Sequence, residues 1–432
     1  MKIPRRRFLS ATAAAVLVAG TRAKGTVFGA NARIGMACIG LNGRGRDHLH
    51  AFLSSRESQV VAVCDVDRRV LSGAARAAAL RQAGAPAKYT DIRELLEDDA
   101  VDAVSIATPN HWHTLAAIWA VRAGKHVYVE KPLSHEVAEG RRLVEEAKKH
   151  NRIVMHGTQR RSGADWINAV RQIREGVIGD IYMARALCYK QRDPIGFAAP
   201  KPPPDYLDWS LWQGPAQEQE YCDNYVHYNW HWFWRYGNGD IGNQGVHQMD
   251  VATWGLNKGL PVKIASTGGR YTYGDQGETP NTQVATFTYR DGAMLVFEVR
   301  GRYTNSEEDT RVGNLFYGSE GYFVERDKAR RNRNRFRFCN KKGRPIRVKQ
   351  EDVDTRGCYG NFLRAVASGD EQDNFAPALA GHIASAHCHL ANIAYRLGRT
   401  LDFNPDTERF TADDEANAML TRNYRGGFEL PA

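Results

Sequence analysis

From Ile34 onward, short apolar runs alternate with amphipathic stretches in a regular rhythm. IGMACIG reads as a buried strand and Arg46–Ser55 as a helix. VVAVCD (60–65) is a second strand, and an Ala-rich helix follows from Arg68 to about Ala83. AKYTD gives a short strand, Ile92–Glu97 a short helix, and VDAVSIAT (101–108) another apolar strand. TLAAIWAVRAG is a helix ending at Gly124, HVYVEKP a fifth strand, EVAEGRRLVEEAKKH a helix and RIVMHG (152–157) a sixth strand. Strands buried on both faces read as continuous apolar runs, and their alternation with helices predicts βαβ units in a doubly wound parallel sheet over 33–160.

After Gly157 the texture changes. GDIYMARALCY, VKIASTGGRYTYG, TQVATFTYR, AMLVFEVRG and NLFYGSEGYFVE read as consecutive strands with few helices between them. They predict a second, α+β domain over 161–432, built on a large open-faced mixed or antiparallel sheet and closed by a late helix at 381–399. The Pro cluster of PKPPPDYLDW (200–209) marks a loop within that domain. A chain of 432 residues exceeds one ordinary core, so two domains agree with its length.

Ahead of the first strand, Arg5-Arg6-Arg7-Phe8-Leu9 precedes an apolar run, Ala11–Gly20, about half the ~20 residues a membrane span needs. Arginines followed by a short small-residue apolar stretch, with Ala30-Asn31-Ala32 as an A-x-A site, predict a twin-arginine export signal over 1–32 and a periplasmic destination. The net charge is +10, and much of the excess sits in Arg326–Lys349, where Asp327 is the only acid. Alternation of Arg331, Arg333, Arg335 and Arg337 would place four arginines on one strand face. Such a run suits a solvated hairpin face, or contact with an acidic sugar polymer or the anionic envelope; an exported protein has no nucleic acid to meet. Seven cysteines without a C-x-x-C pair demand neither a disulfide framework nor a metal site.

Four motifs carry chemistry. GLNGRG, at Gly40, Asn42, Gly43, Arg44 and Gly45, joins the first strand to the first helix, with Asn42 in the second glycine position of a dinucleotide fingerprint. Asn tolerates positive φ, and Asp65 ends the next strand about 20 residues on, where it can accept hydrogen bonds from a ribose diol. That favours NAD; Arg68 and Arg69 keep NADP open, and an aspartate here also suits a helix cap. TPNHWH puts Thr108, Asn110 and His113 at the carboxyl edge of the fourth strand, where doubly wound sheets bind ligands, although His113 equally suits a plain first-turn helix residue. In VEKPLSH, Pro132 biases Lys131 to an extended conformation at the next strand end. A partly desolvated lysine there can accept a hydroxyl proton during hydride transfer; the same residue also reads as a surface lysine before a proline. GDIGNQGVHQMD places His247 three residues before Asp250, a helical spacing that suits a site or a core histidine.

Glycine-turn strand, C-D-V-D, T-P-N-x-x-H, E-K-P and G-V-H-x-x-D together resemble the glucose–fructose oxidoreductase / inositol dehydrogenase (Gfo/Idh/MocA) family, from about Ala32 to about Arg399. The resemblance implies a nicotinamide-binding Rossmann domain followed by a sheet domain carrying a small carbohydrate substrate. It implies Lys131 working beside the cofactor, Glu130 helping to hold it, and His247 at the sugar as acid or base. The family often has Asp where Asn243 stands here; an amide can bind a hydroxyl but cannot take its proton. The aromatic stretch 221–237 borders the family's substrate site, so Trp232, Arg235, Asn229 and His231 are candidate sugar contacts, joined by Gln159 and Arg160. By the same resemblance a dimer or tetramer is expected. Three functions compete: an exported sugar or polyol oxidoreductase, a glycoside hydrolase that transiently oxidises a ring hydroxyl, and a non-catalytic sugar-binding protein.

Overall fold

The computed structural model describes residues 33–327 and 335–431. The export-signal expectation, and Arg331 and Arg333 of the basic run, lie outside the described residues.

The first half alternates as its hydrophobic pattern predicts: β1 (Ile34–Ile39), α1 (Arg44–Ser54), β2 (Ser58–Cys64), α2 (Arg68–Ala79), β3 (Ala87–Tyr89), α3 (Ile92–Leu96), β4 (Ala103–Ile106), α4 (Asn110–Arg122), β5 (His126–Val129), α5 (Val137–Lys149) and β6 (Val154–His156). Every strand pair is parallel, in the order β3-β2-β1-β4-β5-β6. All residues of β1, β4 and β5 are buried, which is why these segments read as unbroken apolar runs. The strand order reverses between β1 and β4, and that switch point is where an open α/β sheet leaves a crevice.

The second half opens with α6 (Ala164–Arg174), β7 (Ile181–Cys188), α7 (Trp209–Gln213), α8 (Gly239–Asn243) and α9 (Gly245–Leu256). The strands β8 (Lys263–Gly269), β9 (Thr282–Thr288), β10 (Met294–Arg300), β11 (Val312–Gly318), β12 (Gly321–Glu325), β13 (Phe336–Asn340) and β14 (Pro345–Ile346) follow. The chain ends through α10 (Gly357–Ser368), α11 (Ala378–Leu397), β15 (Leu401–Asn404), β16 (Arg409–Phe410) and α12 (Asp414–Ala418). The ten strands form one mixed sheet, β14-β13-β12-β11-β7-β10-β9-β8-β15-β16, in which only β7 and β10 run parallel. Burial alternates along β9 and β10, so one face is covered and the other stays open. The covered face packs Phe287, Phe297, Phe316 and Phe323 against Met249 of α9 and Leu390 and Ala391 of α11.

Helices α6 and α10 depart from the strand-dominated reading of this half. α10 lies on the first sheet, where Phe362 meets Phe52 and Tyr128 edge-on. Residues 374–377 run beside β6, with the His156 N–H donating to the Ala376 carbonyl at 2.8 Å. The proline-rich segment is a loop, as expected, and bridges back to the first half through Asp67 and Leu207. All seven cysteines are free and buried. Among the described residues, no helix is long and apolar enough to cross a membrane.

Candidate active site

A cavity of about 720 Å³ opens at the switch point, between the carboxyl ends of β1, β2, β4 and β5 and the segment 227–247. Its size lies within the range of small-molecule and cofactor sites. One end is built by the glycine turn. Gly40 has φ +76°, and a Cβ there would press on the Ala107–Thr108 backbone at 2.8 Å. A Cβ on Gly45 would meet the Gly40 carbonyl oxygen at 1.7 Å, so α1 can approach β1 only through a glycine. Gly43, φ +51°, caps α1 without a side-chain hydrogen bond, leaving an open helix N-terminus at the cavity. Arg46 stands there without an acidic partner among the described residues, its guanidinium donating to Asn42 Oδ1 at 2.9 Å. An uncapped helix start, a glycine-rich turn and an arginine suit a diphosphate. The buried Thr108 Oγ1 has no partner among the described residues and offers a further polar contact.

Asp65 lines the same end, its carboxylate accepting from the Leu41 and Asp67 N–H groups at 2.7 and 2.9 Å. Burial pushes its pKa up, against the pull of these N–H groups. The cap of α2 is Asp67, not Asp65. The two arginines that kept NADP open point elsewhere: Arg68 donates to the Asp205 carbonyl, while Arg69 pairs with Asp67 at 3.0 Å and lies over the Tyr206 ring. Neither lines the cavity. The residues present therefore fit an NAD-type dinucleotide.

At the other end stand the reactive candidates. Lys131 Nζ donates to the Asn243 carbonyl at 2.9 Å and to Asn243 Oδ1 at 3.2 Å. Burial lowers its pKa; Glu130 and Asp240 oppose that, while Arg44 and Arg192 add to it. Beneath it, the buried Glu130 accepts from Arg44 Nε at 2.9 Å and contacts His48 Nε2 at 3.2 Å. Burial opposes its charge, but His48, Arg44 and Lys131 hold its carboxyl well below the usual range. His247, in the first turn of α9, faces the cavity, and its ring makes no hydrogen bond to another described residue. Burial first, then Lys131 and Arg160, push its pKa well below that of free histidine, which keeps the ring neutral at physiological pH.

Asn110 and His113 also reach the cavity, but their polar atoms are engaged in holding its walls. Asn110 donates to Asn238 Oδ1 at 2.9 Å. His113 lies 2.7 Å from the Pro132 carbonyl and 2.8 Å from that of Thr108, tying the loops after β4 and β5 together. Gln159, Asn243 and His231 line the cavity as expected. Arg160, Trp232 and Arg235 do not, nor does Asn229. Arg160 is drawn to Glu325 of β12 at 2.7 Å, Trp232 is buried beneath the Arg192 guanidinium, and Arg235 sits exposed on the Gln217 carbonyl. Arg335 and Arg337 are no free basic face either: Arg335 pairs with Asp165 and Glu325, and Arg337 donates to the Gly343 carbonyl.

The structure adds His48, Lys190, His227, Tyr228 and Gln244 to the candidates. His48 follows Arg44 by one helical turn, so the i, i+4 spacing already put both over one face of α1. Lys190 lies just beyond the apolar run of β7, and Gln244 beside Asn243.

Two family models match the chain. One, described as an oxidoreductase family with an NAD-binding Rossmann fold, covers residues 34–158. The other, the C-terminal alpha/beta domain of that oxidoreductase family, covers 196–321 and 353–430. Among curated proteins, a glycosyl hydrolase family 109 protein of Saccharopolyspora erythraea is 33% identical over 166 residues, 38% of this chain and 36% of that one. An alpha-N-acetylgalactosaminidase of Shewanella oneidensis is 30% identical over 152 residues, 34% of this chain and 33% of its own. The chain thus covers about a third of the length of these curated relatives. Among solved structures, the WlbA dehydrogenase of Bordetella pertussis in complex with NADH and UDP-GlcNAcA superposes with TM-score 0.63 at 19% identity, over 86% of this chain and 99% of that chain. The aldose-aldose oxidoreductase of Caulobacter crescentus complexed with glycerol gives 0.61 at 17%, over 86% and 100%. These likenesses show a shared fold. With a Rossmann domain and an open-sheet domain both matched, the chain belongs to the Gfo/Idh/MocA oxidoreductase family.

Proposed function

We propose that the protein is an exported NAD-dependent oxidoreductase that acts on a hydroxyl of a sugar, glycoside or polyol by hydride transfer. The observation that carries this reading is Lys131: its ammonium projects into the cavity at the end of β5 and is held by Asn243, not by a carboxylate. A bound nicotinamide supplies the hydride acceptor or donor. Lys131, its pKa lowered by burial, takes the hydroxyl proton as the C–H bond gives up hydride and returns it in reverse. The Asn243 amide holds the ammonium in place, and the neutral His247 ring offers a second proton acceptor from the facing helix. Glu130, fixed by Arg44 and His48, steadies the Lys131 backbone, whose N–H it accepts at 3.2 Å.

A second reading is favoured by the names of the curated relatives, a glycosyl hydrolase family 109 protein and an alpha-N-acetylgalactosaminidase. Here the same residues oxidise a ring hydroxyl, the aglycone leaves by elimination, water adds across the resulting double bond, and the hydride returns to the carbonyl, so no net oxidation occurs. Incubation with nitrophenyl glycosides and free sugars separates the two, following released phenol and nicotinamide absorbance together. Reduced cofactor accumulating with free sugar supports oxidation. Aglycone release without net change supports hydrolysis. Silence in both, with cofactor bound, leaves a sugar-binding protein and sinks the enzymatic reading.

A further inference from the structure

The charges around the reactive end do not cancel. Asp240 is matched by Arg192 at 2.6 Å, Glu130 by Arg44 at 2.9 Å, and Glu325 by Arg160 at 2.7 Å. Two cavity-lining lysines remain, Lys131 and Lys190, neither of which forms an ion pair with a described residue. Lys190 Nζ donates at 3.2 Å to the Gln244 amide oxygen. Gln244 adjoins Asn243, whose carbonyl and amide oxygens hold Lys131. The two ammonium groups therefore flank one short backbone segment at the head of α9, Lys190 on the solvent side. Tyr228, half exposed, lies 3.5 Å from both the Asn243 amide nitrogen and Arg192 Nη1, and so forms the rim beside it. A neutral sugar would leave the outer lysine with only an amide for company. An oxyanion would satisfy it without displacing any existing ion pair. The same uncompensated field shows in His231 and His247: burial leads, but Lys131 helps push both rings to the neutral form.

We propose that the outer end of the cavity recognises an anionic saccharide, with Lys190 binding an oxyanion on the sugar, a uronate carboxylate or a sulfate ester, while Lys131 serves the hydroxyl being oxidised. This inference rests on the sugar reading above and gives its substrate a charge. The test is calorimetric, so it does not depend on turnover: NAD-loaded protein is titrated with glucuronate, glucose 6-sulfate and glucose. Tighter binding of an anionic sugar than of glucose, by about tenfold or more, is expected, as is usual for a charge-assisted hydrogen bond. Whichever of the two anionic sugars shows the margin identifies the oxyanion. Lys190→Gln should remove most of the margin and Lys190→Arg should keep it. Glucose binding as tightly as both anionic sugars overturns the proposal, and so does a margin that survives Lys190→Gln. Sugars that bind but are never oxidised or cleaved would instead count against the hydride-transfer reading alone.

Discussion

At the residue scale, the site turns on a lysine whose nearest acceptors are uncharged. Lys131→Met keeps the shape of the side chain but removes the proton acceptor. Hydride transfer should fall about 10²–10⁴-fold while NAD binding persists, as single-turnover absorbance and cofactor titration would show. Near wild-type turnover would displace Lys131 from the chemistry. Asn243→Asp makes the complementary change. A carboxylate within hydrogen-bond reach of Nζ favours the ammonium, so the Lys131 pKa rises, and the acidic limb of the kcat/KM profile for oxidation should move to higher pH by roughly one unit or more. A limb that stays in place means another group titrates there. Lys131, Asn243 and His247 were legible in the sequence because short motifs carry them to strand and helix ends. Lys190, His227 and Tyr228 were not, since only the packing of the second half against the first sheet brings them to the cavity. Arg160 stands off the cavity for an electrostatic reason: a buried glutamate from β12, more than 160 residues downstream, claims its guanidinium.

At the scale of elements, the fit of α1 against β1 depends on a missing methyl. In Gly45→Ala the new Cβ would meet backbone, the Gly40 carbonyl oxygen, which cannot step aside as a side chain could. The expected loss is about 2 kcal/mol or more, read as a lower denaturant midpoint at unchanged slope, together with weaker NAD binding. Gly73→Ala is the counter-case. It sits in α2 with open space around a would-be Cβ, so the variant should gain about 0.5–1 kcal/mol. The reverse order of effects would mean that the turn tolerates what its geometry forbids. The six parallel strands were readable because burial on both faces leaves a continuous apolar signature. Helices α6 and α10 were harder to read. α10, GCYGNFLRAVAS, carries two glycines in its first turn and starts from a left-handed residue, Arg356, with no side-chain cap. Nor does any local pattern announce that β7 pairs in parallel with β10, about a hundred residues later.

At the scale of the whole molecule, the proposed export bears on how the cofactor is held. Outside the cytoplasm no soluble NAD pool is expected, so an exported enzyme of this kind must leave with its dinucleotide in place and regenerate it there. Protein purified from the exported fraction is predicted to carry nicotinamide cofactor through dialysis and to turn over a suitable sugar without added NAD. Extraction and absorbance of the released cofactor would check it. Empty protein that works only with free NAD would make the dinucleotide a cosubstrate and remove the reason for exporting a folded chain.

The first sheet is finished by parts of the chain made long after it. Phe362 of α10 packs into one of its faces, and Phe428 packs edge-on against Trp112 on the other. Arg422 grips the buried Glu139 at 2.9 Å and the His111 carbonyl at 2.6 Å. Domains generally fold in order of synthesis, N-terminal first. Here the nucleotide half emerges from the ribosome with both flanks bare, and residues 357–428 close it. Tight capture of the dinucleotide is therefore predicted to wait for residues 357–428, and so for the whole chain, and not for the half that binds it alone.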